Sequence, residues 1–202
     1  KGEYPYHRDV AYDWKHTQYI ENENLRTGDA VIISTPFSGH GDKHPYWKWL
    51  IEQCYEKSIP IYVDCAWFGC CEDIEIKFGH GPIQAVAFST TKSLSSGNWR
   101  AGMVFTREDY SSLHLQTEWH HGIHLNTRIA LELIRNFSPD TIPNVYSKHA
   151  NAVCKQFGLE RSKTVHIAKG DDTWDEYSRD GTYNRINIRK HIKYYKKHKK
   201  FE

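Results

Sequence analysis

The first half of the chain alternates short apolar runs with one amphipathic segment. Ala30–Ser34 is an apolar run after the turn Thr27-Gly28-Asp29 and predicts a strand that is buried on both faces. Tyr46–Lys57 places apolar residues at helical spacing and predicts a helix. Three more apolar runs predict strands: Ile61–Val63, Ala85–Ser89 and Gly102–Thr106. This strand–helix–strand order predicts an α/β fold with a mostly parallel sheet.

The pattern changes near residue 110. Beyond that point it predicts two helices on either side of a break at Ser138-Pro139-Asp140, followed by two strands and a terminal helix. These predicted elements are Asn126–Phe137, Asn144–Phe157, Thr164–Ala168, Tyr183–Ile188 and Arg189–Lys200. We therefore expect a sheet domain at residues 1–110 and a smaller α+β lobe at residues 111–202.

Composition and charge narrow the class of protein. The 202 residues include 27 Lys and Arg against 25 Asp and Glu, so the net charge of +2 creates no strong field that attracts nucleic acid or membrane. No apolar run approaches the roughly 20 residues of a membrane span. The five cysteines are an odd number without framework spacing, which favours reduced thiols in a cytoplasmic protein.

Polar residues follow several of the predicted strands. Ser38, Asp64 and the segment Ser89–Lys92 all fall at or just after predicted strand ends. In parallel α/β sheets, ligands bind at the carboxyl ends of the strands, so these side chains are candidates for one crevice. A lysine whose amine is held deprotonated can attack a carbonyl, and an aspartate can pair with a cationic ring nitrogen. Lys92 and Asp64 are therefore the candidate catalytic pair.

Three segments resemble motifs of one enzyme family. STPFSGHG is similar to the strand-end motif SNPNNPTG, IYVDCAWFG to a D-x-A-Y segment, and FSTTKSLSSGNWRAG to an S-x-x-K stretch. All three motifs belong to the fold-type I pyridoxal-phosphate (PLP) aminotransferases of the aspartate aminotransferase type. The spacing matches as well, with 26 positions from Ser38 to Asp64 and 28 from Asp64 to Lys92. The resemblance implies that the parallel sheet is part of this family's large domain and the α+β lobe its small domain.

The resemblance also assigns roles to residues around the cofactor. Lys92 resembles the lysine that forms a Schiff base with the PLP aldehyde and later moves a proton between substrate and cofactor. Asp64 resembles the carboxylate that keeps the pyridine nitrogen protonated, which makes the ring an electron sink. Ser89 and Arg100 match phosphate ligands, and a guanidinium group suits a phosphate dianion.

Four further positions complete the site that the resemblance implies. Tyr4 resembles the aromatic residue that stacks on the PLP ring. Trp67 stands where the family has tyrosine and Ser38 where it has asparagine, and both family residues serve the ring O3′. An indole N–H can donate a hydrogen bond but cannot ionise, so the imine pKa is expected to be tuned differently. Arg185, in the predicted strand Tyr183–Ile188, resembles the arginine that clamps the substrate α-carboxylate through two parallel bonds.

The activity that the resemblance implies is transfer of an amino group from an amino acid to a 2-oxo acid by a homodimer. The similarity begins in the middle of the family's large domain. We therefore expect either a piece of a longer protein or a reduced relative whose site another chain completes. The alternative is a catalytically silent protein that binds PLP or a partner, which the changes at Ser38 and Trp67 favour.

Two other patterns point to different functions. Four histidines lie in HLQTEWHHGIH and Cys70-Cys71 adds two thiols, but the chain has no C-x-x-C pair or H-E-x-x-H motif, and we predict no metal site.

The tail from Arg185 to Glu202 has eight Lys and Arg against one acid. We interpret it as the solvated face of an amphipathic helix, with Ile188, Ile192 and Tyr195 packed inward, rather than as a nucleic-acid site.

Overall fold

The computed structural model describes residues 2–10, 20, 24–119, 124–179 and 183–198. Short 3₁₀ turns lie at Phe68–Cys70, Gly97–Trp99 and Asp172–Tyr177. The helices and strands of these ranges, in chain order, are α1 (Pro5–Val10), β1 (Val31–Ser34), α2 (Trp47–Glu56), β2 (Ile61–Cys65), β3 (Ile83–Ser89), α3 (Thr90–Ser93), β4 (Gly102–Thr106), α4 (Ser111–Trp119), α5 (His124–Asn136), α6 (Thr141–Phe157), β5 (Glu160–Arg161), β6 (Ile167–Gly170), β7 (Ser178–Arg179), β8 (Tyr183–Asn187) and α7 (Arg189–His198).

The first four strands form one sheet in the order β1-β2-β3-β4. β1, β2 and β3 run parallel, and β4 runs antiparallel to β3. This arrangement confirms the predicted α/β fold with a mostly parallel sheet. In the central strand β2, the buried residues Ile61, Val63 and Cys65 alternate with the less buried Tyr62 and Asp64. Because successive side chains of a strand point to opposite faces, Asp64 is directed away from the apolar face that β2 buries.

Helix α2 packs on the apolar face of this sheet. Its buried residues Trp47, Leu50, Ile51 and Cys54 recur at helical spacing and join one hydrophobic core with side chains of β1, β2 and β3. Ser58, with a φ of 55°, lies just after the helix and turns the chain toward β2. The predicted helix Tyr46–Lys57 is therefore confirmed to within one residue at each end.

Strand β4 is the outermost strand of the first sheet within the described part of the chain. All five of its residues are exposed, including Met103, Val104 and Phe105. Apolar side chains on both faces of an edge strand form a surface that proteins commonly cover with another segment or with a partner subunit. The described residues leave this face uncovered.

A second sheet has the order β5-β6-β8-β7, and all of its strand pairs are antiparallel. Helices α6 and α7 pack on it through a core that includes Ala150, Val153, Ile188 and Ile192, with Tyr195 packed against that core. The terminal helix thus buries the residues that its sequence pattern predicts. A domain boundary near residue 110 remains a prediction.

Backbone hydrogen bonds join the segment before β6 to the loops that follow β1 and β2. Thr164 forms an antiparallel bridge with Cys71, and Val165 N–H donates to the Cys70 carbonyl at 2.9 Å. The Thr164 hydroxyl also donates to the Gly41 carbonyl at 2.7 Å. Because Thr164 is fully buried, these bonds lie in the interior between the two sheets. They hold part of the second lobe against the carboxyl-terminal edge of the first sheet.

This junction explains why the predicted strand Thr164–Ala168 is wrong at its start. Thr164 and Val165 direct their hydrogen bonds toward the first lobe, and the strand pairs within its own sheet only from Ile167. After the predicted strand that ends at Ser89, the chain forms one turn of helix, which Ser89 caps. Asp64 lies inside β2 rather than directly after it.

Most of the other boundaries agree closely with the predictions. Helix α5 begins two residues before the predicted Asn126–Phe137 and ends one residue earlier. Helix α6 begins three residues before the predicted Asn144–Phe157, because Pro143 is accommodated in the first turn of a helix, where its missing N–H costs no bond. Strand β4 matches its predicted bounds.

The described residues also bear on thiol, membrane and metal chemistry. All five cysteines are buried and free of disulfide bonds. Within the described ranges, no helix combines the length and apolar character that a bilayer crossing requires. The same ranges hold no group of three or more His, Cys, Asp or Glu side chains placed to bind a metal ion. His120 and His121 of the histidine-rich segment lie outside the described residues.

Truncation of Leu50 tests the contribution of α2 to the first core. Leu50 is 1% exposed, so Leu50→Ala removes buried methyl groups and leaves a cavity that lowers the free energy of unfolding by about 2–5 kcal/mol. The matched control is Lys48→Ala on the exposed side of the same helix, which we expect to change the free energy by at most about 0.5 kcal/mol. Urea unfolding of both variants measures the difference. Equal values would show that α2 does not pack on the core described here.

Candidate active site

The carboxylate of Asp64 lies near the end of β2 and meets His7 of α1. His7 Nε2 and Asp64 Oδ2 are 3.0 Å apart, and Asp64 Oδ1 accepts the N–H of Ala66 at 2.8 Å. Burial by itself would raise the pKa of Asp64, but the hydrogen bonds from His7 and Ala66 and the charges of His7 and Lys92 hold it below 3.8. Asp64 is therefore an anion at physiological pH.

His7 is the hydrogen-bond partner of this carboxylate and carries a positive charge when it is protonated. Burial alone would lower the pKa of His7, but the hydrogen bond to Asp64 and the charges of Glu3 and Asp64 raise it above 6.5. Its other ring nitrogen, Nδ1, is buried and has no hydrogen-bond partner among the residues that the structure describes. The imidazole is thus oriented by its bond to Asp64 and by the edge-on contact with the Tyr4 ring.

Glu3 fixes the amino-terminal segment on the end of β1. Its carboxylate accepts hydrogen bonds from the N–H of Ser34, at 2.7 Å, and from the Ser34 hydroxyl. The same hydroxyl oxygen accepts the N–H of Ser38 at 2.9 Å, which places Ser38 beside this contact. The segment therefore crosses the carboxyl ends of β1 and β2. It carries Tyr4, whose ring is 44% exposed and meets the His7 ring edge-on at 5.5 Å.

Helix α3 carries Lys92 directly after β3. Ser89 caps this helix by accepting the N–H of Thr91 at 3.1 Å. The buried Thr90 hydroxyl bonds the Ser96 hydroxyl at 2.7 Å and holds the following loop against the helix. The local sequence therefore fixes the backbone from which the Lys92 side chain extends.

Trp67 links Lys92 to the second lobe. Lys92 Nζ lies 5.2 Å from the centroid of the Trp67 ring, a cation–π contact. The same ring meets the ring of His166 at 6.0 Å with an angle of 62°. The charge of Lys92 is also one of the causes of the low pKa of Asp64. Lys92, Asp64 and Trp67 are thus neighbours at the carboxyl-terminal edge of the parallel strands.

The two arginines that the resemblance assigns lie on other elements. Arg100 is exposed, follows a 3₁₀ turn and has a left-handed φ of 32° just before β4. Arg185 is a half-buried residue of β8 in the second sheet, in register with Lys169 of β6. Their roles as ligands of phosphate and of substrate remain predictions.

Two histidines of the site, His7 and His166, are not among the candidate site residues that the sequence analysis predicts. His7 stands three residues after Tyr4, within the segment that resembles the family, and that proximity is the signal that could identify it. His166 has no such signal, because its place beside Trp67 depends on the backbone hydrogen bonds that join the segments around Thr164 and Cys71. Such a contact between distant parts of the chain leaves no periodic pattern in the sequence.

Comparison with solved structures identifies the fold. The chain is similar to a PLP-bound C–S lyase from Staphylococcus hominis, with 12% identity and a TM-score of 0.58 over 77% of this chain and 45% of that one. A PLP-bound protein from Clostridium difficile 630 that carries the name aminotransferase matches with 11% identity and a TM-score of 0.64, over 82% of this chain and 56% of that one. Aspartate aminotransferase from Thermotoga maritima matches with 17% identity and a TM-score of 0.53, over 71% of this chain and 43% of that one.

These matches show that the chain has the fold of the fold-type I PLP-dependent enzymes. The chain spans about half the length of these three solved proteins. No protein-family model matches the sequence. No curated protein matches it.

The pH dependence of stability tests the His7–Asp64 pair. Because folding raises the pKa of His7, the stabilisation by its protonated ring is complete below pH 6.5 and is lost as the pH rises through the folded-state pKa. Because folding lowers the pKa of Asp64, its contribution is complete above pH 3.8 and is lost as the pH falls through its lowered pKa. The free energies of unfolding of the unaltered chain and of His7→Gln, both measured in urea, should therefore differ most between pH 3.8 and pH 6.5.

The control for this prediction is His80→Gln, which changes an exposed histidine. It should follow the pH profile of the unaltered chain. A His7→Gln variant whose free energy of unfolding keeps a constant offset from pH 5 to pH 9 would contradict the ion pair.

Proposed function

We propose that this chain is a PLP-dependent aminotransferase that moves an amino group between an amino acid and a 2-oxo acid. The observation that carries the proposal is the proximity of Lys92 and Trp67 to the partly buried Asp64 anion at the carboxyl-terminal edge of a fold-type I sheet. In open α/β sheets, ligands bind at this edge. A lysine and a carboxylate near one another at this edge are the two groups that PLP chemistry requires.

The chemistry of Asp64 fits a pyridinium ring. Its low pKa keeps it ionised, and each carboxylate oxygen has lone pairs left after its bond to His7 or Ala66. A buried anion favours the protonated form of a ring nitrogen placed against it. His7 then keeps the carboxylate oriented, because it bonds one of the two oxygens. These residues fit the nitrogen end of PLP.

Other residues fit the remaining groups of the cofactor. The Ser89 hydroxyl accepts the N–H of Thr91, which leaves its hydrogen for an anion such as phosphate. Arg100 would supply a second phosphate contact, as the resemblance implies. Trp67 and Ser38 would serve the ring O3′, and Tyr4 would lie against the ring face. Each of these roles is part of the proposal.

In the proposed mechanism, Lys92, Asp64 and Arg185 each have a separate role. When bound, PLP supplies an aldehyde that condenses with amines and a ring that withdraws electrons from the substrate Cα. Once the substrate amine has displaced Lys92 from the aldehyde carbon, the free Lys92 Nζ would be the base that takes the proton from that Cα and holds it for return. Asp64 keeps the ring nitrogen positively charged, so the negative charge that develops at Cα is stabilised. Arg185 holds the substrate α-carboxylate through its two parallel N–H donors.

The resemblance also supports proposals about assembly and location. We propose a cytoplasmic homodimer that acts on amino acids and 2-oxo acids and binds neither nucleic acid nor membrane. The exposed apolar residues Met103, Val104 and Phe105 of β4 provide a surface suited to association. The second candidate function is a catalytically silent PLP-binding protein, which the indole of Trp67 favours because it cannot ionise. An assay for amino-group transfer from an amino acid to a 2-oxo acid distinguishes the aminotransferase from the silent PLP-binding protein.

Covalent trapping tests the assignment of Lys92. Incubation with PLP followed by borohydride should fix the cofactor on Lys92, and peptide mass spectrometry should locate the adduct there. Lys92→Ala should give no adduct at this position, whereas Lys77→Ala, an exposed lysine elsewhere in the chain, should leave it unchanged. An adduct spread over surface lysines, or none at all, would overturn the proposed function.

Replacement of the carboxylate tests the role of Asp64. Asp64→Asn keeps the shape of the side chain but loses a charge-assisted bond worth about 1.5–3 kcal/mol, so PLP affinity should fall by about tenfold to 150-fold. Asp109→Asn, at an exposed position, is the control and should bind PLP normally. Fluorescence titration with PLP measures both. Equal dissociation constants for the two variants would assign the ring nitrogen to another partner.

A further inference from the structure

Strand β8 belongs to the second sheet, but the ring of its first residue packs on the first lobe. Tyr183 packs against the hydrophobic core that α2 shares with β1, β2 and β3, whereas Ile186 of the same strand lies in the second core. These residues are three positions apart, so their side chains point to opposite faces of the sheet. One face of β8 is therefore directed toward the first lobe and the other toward α6 and α7.

Two glycines make room for the Tyr183 ring. A Cβ atom on Gly39 would lie 2.8 Å from Phe37 Cε1 and 3.1 Å from Tyr183 Cδ2. A Cβ atom on Gly2 would lie 3.4 Å from the same Tyr183 atom. Carbon atoms pack best at about 3.5–4.0 Å, so a side chain on Gly39 would displace the ring. The His40 ring meets the Tyr183 ring at 4.9 Å. We name Gly2, Phe37, Gly39 and His40 the glycine seat.

Each element that meets at the glycine seat carries a candidate residue of the active site. The segment that contains the first glycine also carries Tyr4, and the loop that contains the second carries Ser38. Arg185 follows Tyr183 by two positions in β8, so both side chains lie on the face that is directed toward the first lobe. The Tyr183 ring thus lies where the amino-terminal segment, the loop after β1 and β8 meet.

A second contact fixes the same face of the second sheet. Lys169 of β6 is the register partner of Arg185, and residues directly opposite in an antiparallel pair project to one face. Lys169 Nζ lies 3.0 Å from Asp42 Oδ2, in the loop after β1. Neighbours of Arg185 therefore contact this loop in two directions: Tyr183 along its own strand, and Lys169 on the adjacent strand.

We propose that Tyr183 is a positioning residue for the substrate α-carboxylate, because its ring on the glycine seat sets the place of Arg185. The assignment rests on the proposed function, since it takes Arg185 as the group that binds this carboxylate. A guanidinium binds a carboxylate through two parallel bonds only in a narrow range of orientations, so a small shift of β8 weakens the pair. The contacts with the two glycines are made by a ring carbon, so phenylalanine should replace tyrosine.

Steady-state kinetics of Tyr183 variants tests this role. Tyr183→Ala should raise KM for alanine by about tenfold or more, with little change in kcat or in PLP affinity. Tyr183→Phe should keep the KM of the unaltered protein. Ethylamine has no carboxylate, so its rate should not fall in Tyr183→Ala. The control is Tyr177→Ala, an exposed tyrosine of the same lobe, which should leave every value unchanged.

A double variant tests whether Tyr183 acts through Arg185. Arg185→Gln should raise KM for alanine by itself, and adding Tyr183→Ala should raise it no further. Residues that act through one contact are not additive in such a cycle. Independent, additive losses would contradict the assignment.

Filling the glycine seat gives the same test without any change in β8. Gly39→Ala places a methyl group against the Tyr183 ring, so KM for alanine should rise as in Tyr183→Ala. The matched control is Gly79→Ala, at an exposed position where no described atom lies within 4 Å of the added carbon. If Tyr183→Ala does not fold, Tyr183→Leu, which keeps an apolar side chain without the ring, takes its place.

Binding of a carboxylate without PLP gives a readout that needs no turnover. Propionate should shift the backbone amide NMR signals of β8, and the neutral propionamide should not. Tyr183→Ala and Arg185→Gln should each weaken the response to propionate, whereas Tyr183→Phe should keep it.

The outcomes separate this assignment from the proposed function. A PLP adduct on Lys92 together with an unchanged KM for alanine in folded Tyr183→Ala would overturn the role of Tyr183 alone. A propionate response that requires the Tyr183 ring, without any adduct on Lys92, would support the positioning role and overturn the proposed function. If Tyr183→Ala lowers the rates with alanine and ethylamine equally, the ring only holds the lobes together and the assignment is wrong.

Discussion

The burial of one negative charge at the end of β2 determines how this part of the molecule is organised. An ionised carboxylate that loses water must gain cationic and N–H partners, or it takes up a proton. Asp64 gains hydrogen bonds from His7 and from the Ala66 N–H, and the positive charge of Lys92 also acts on it, so groups from three separate segments are involved. The amino-terminal segment, the central strand and α3 therefore meet at one point. The same requirement makes the site suited to a cationic ring.

Much of the first sheet is predictable because its strands are short, apolar and separated by turn residues. The periodicity alone identifies β1, β2, β3, β4 and the helix α2, and it supports a mostly parallel sheet. The candidate pair Lys92 and Asp64 follows from position as well, since both lie where parallel strands end. The assignment of a role to Trp67, Ser38, Tyr4 or Arg185 required motif resemblance, because composition and periodicity carry no information on cofactor chemistry.

The features that the sequence does not reveal depend on contacts between distant residues. His7 and Asp64 are 57 positions apart, and no local pattern indicates their ion pair. Thr164 is a polar residue in an apolar run and looks like part of a strand, but its N–H and its hydroxyl both donate to the Gly41 carbonyl, and it forms only an isolated bridge with Cys71. That junction brings His166 to Trp67, the tryptophan beside Lys92. Tertiary hydrogen bonds, rather than propensity, therefore decide how the second lobe meets the carboxyl-terminal edge of the first sheet.

The most direct measurement of the central claim is a crystal structure of the chain in complex with PLP. The account predicts electron density for the cofactor that is continuous with Lys92 Nζ, with the ring nitrogen within about 3.2 Å of an Asp64 carboxylate oxygen. His7 should remain bonded to the same carboxylate. PLP bound elsewhere, or a ring nitrogen directed away from Asp64, would contradict the proposal that this buried anion exists to hold a pyridinium ring.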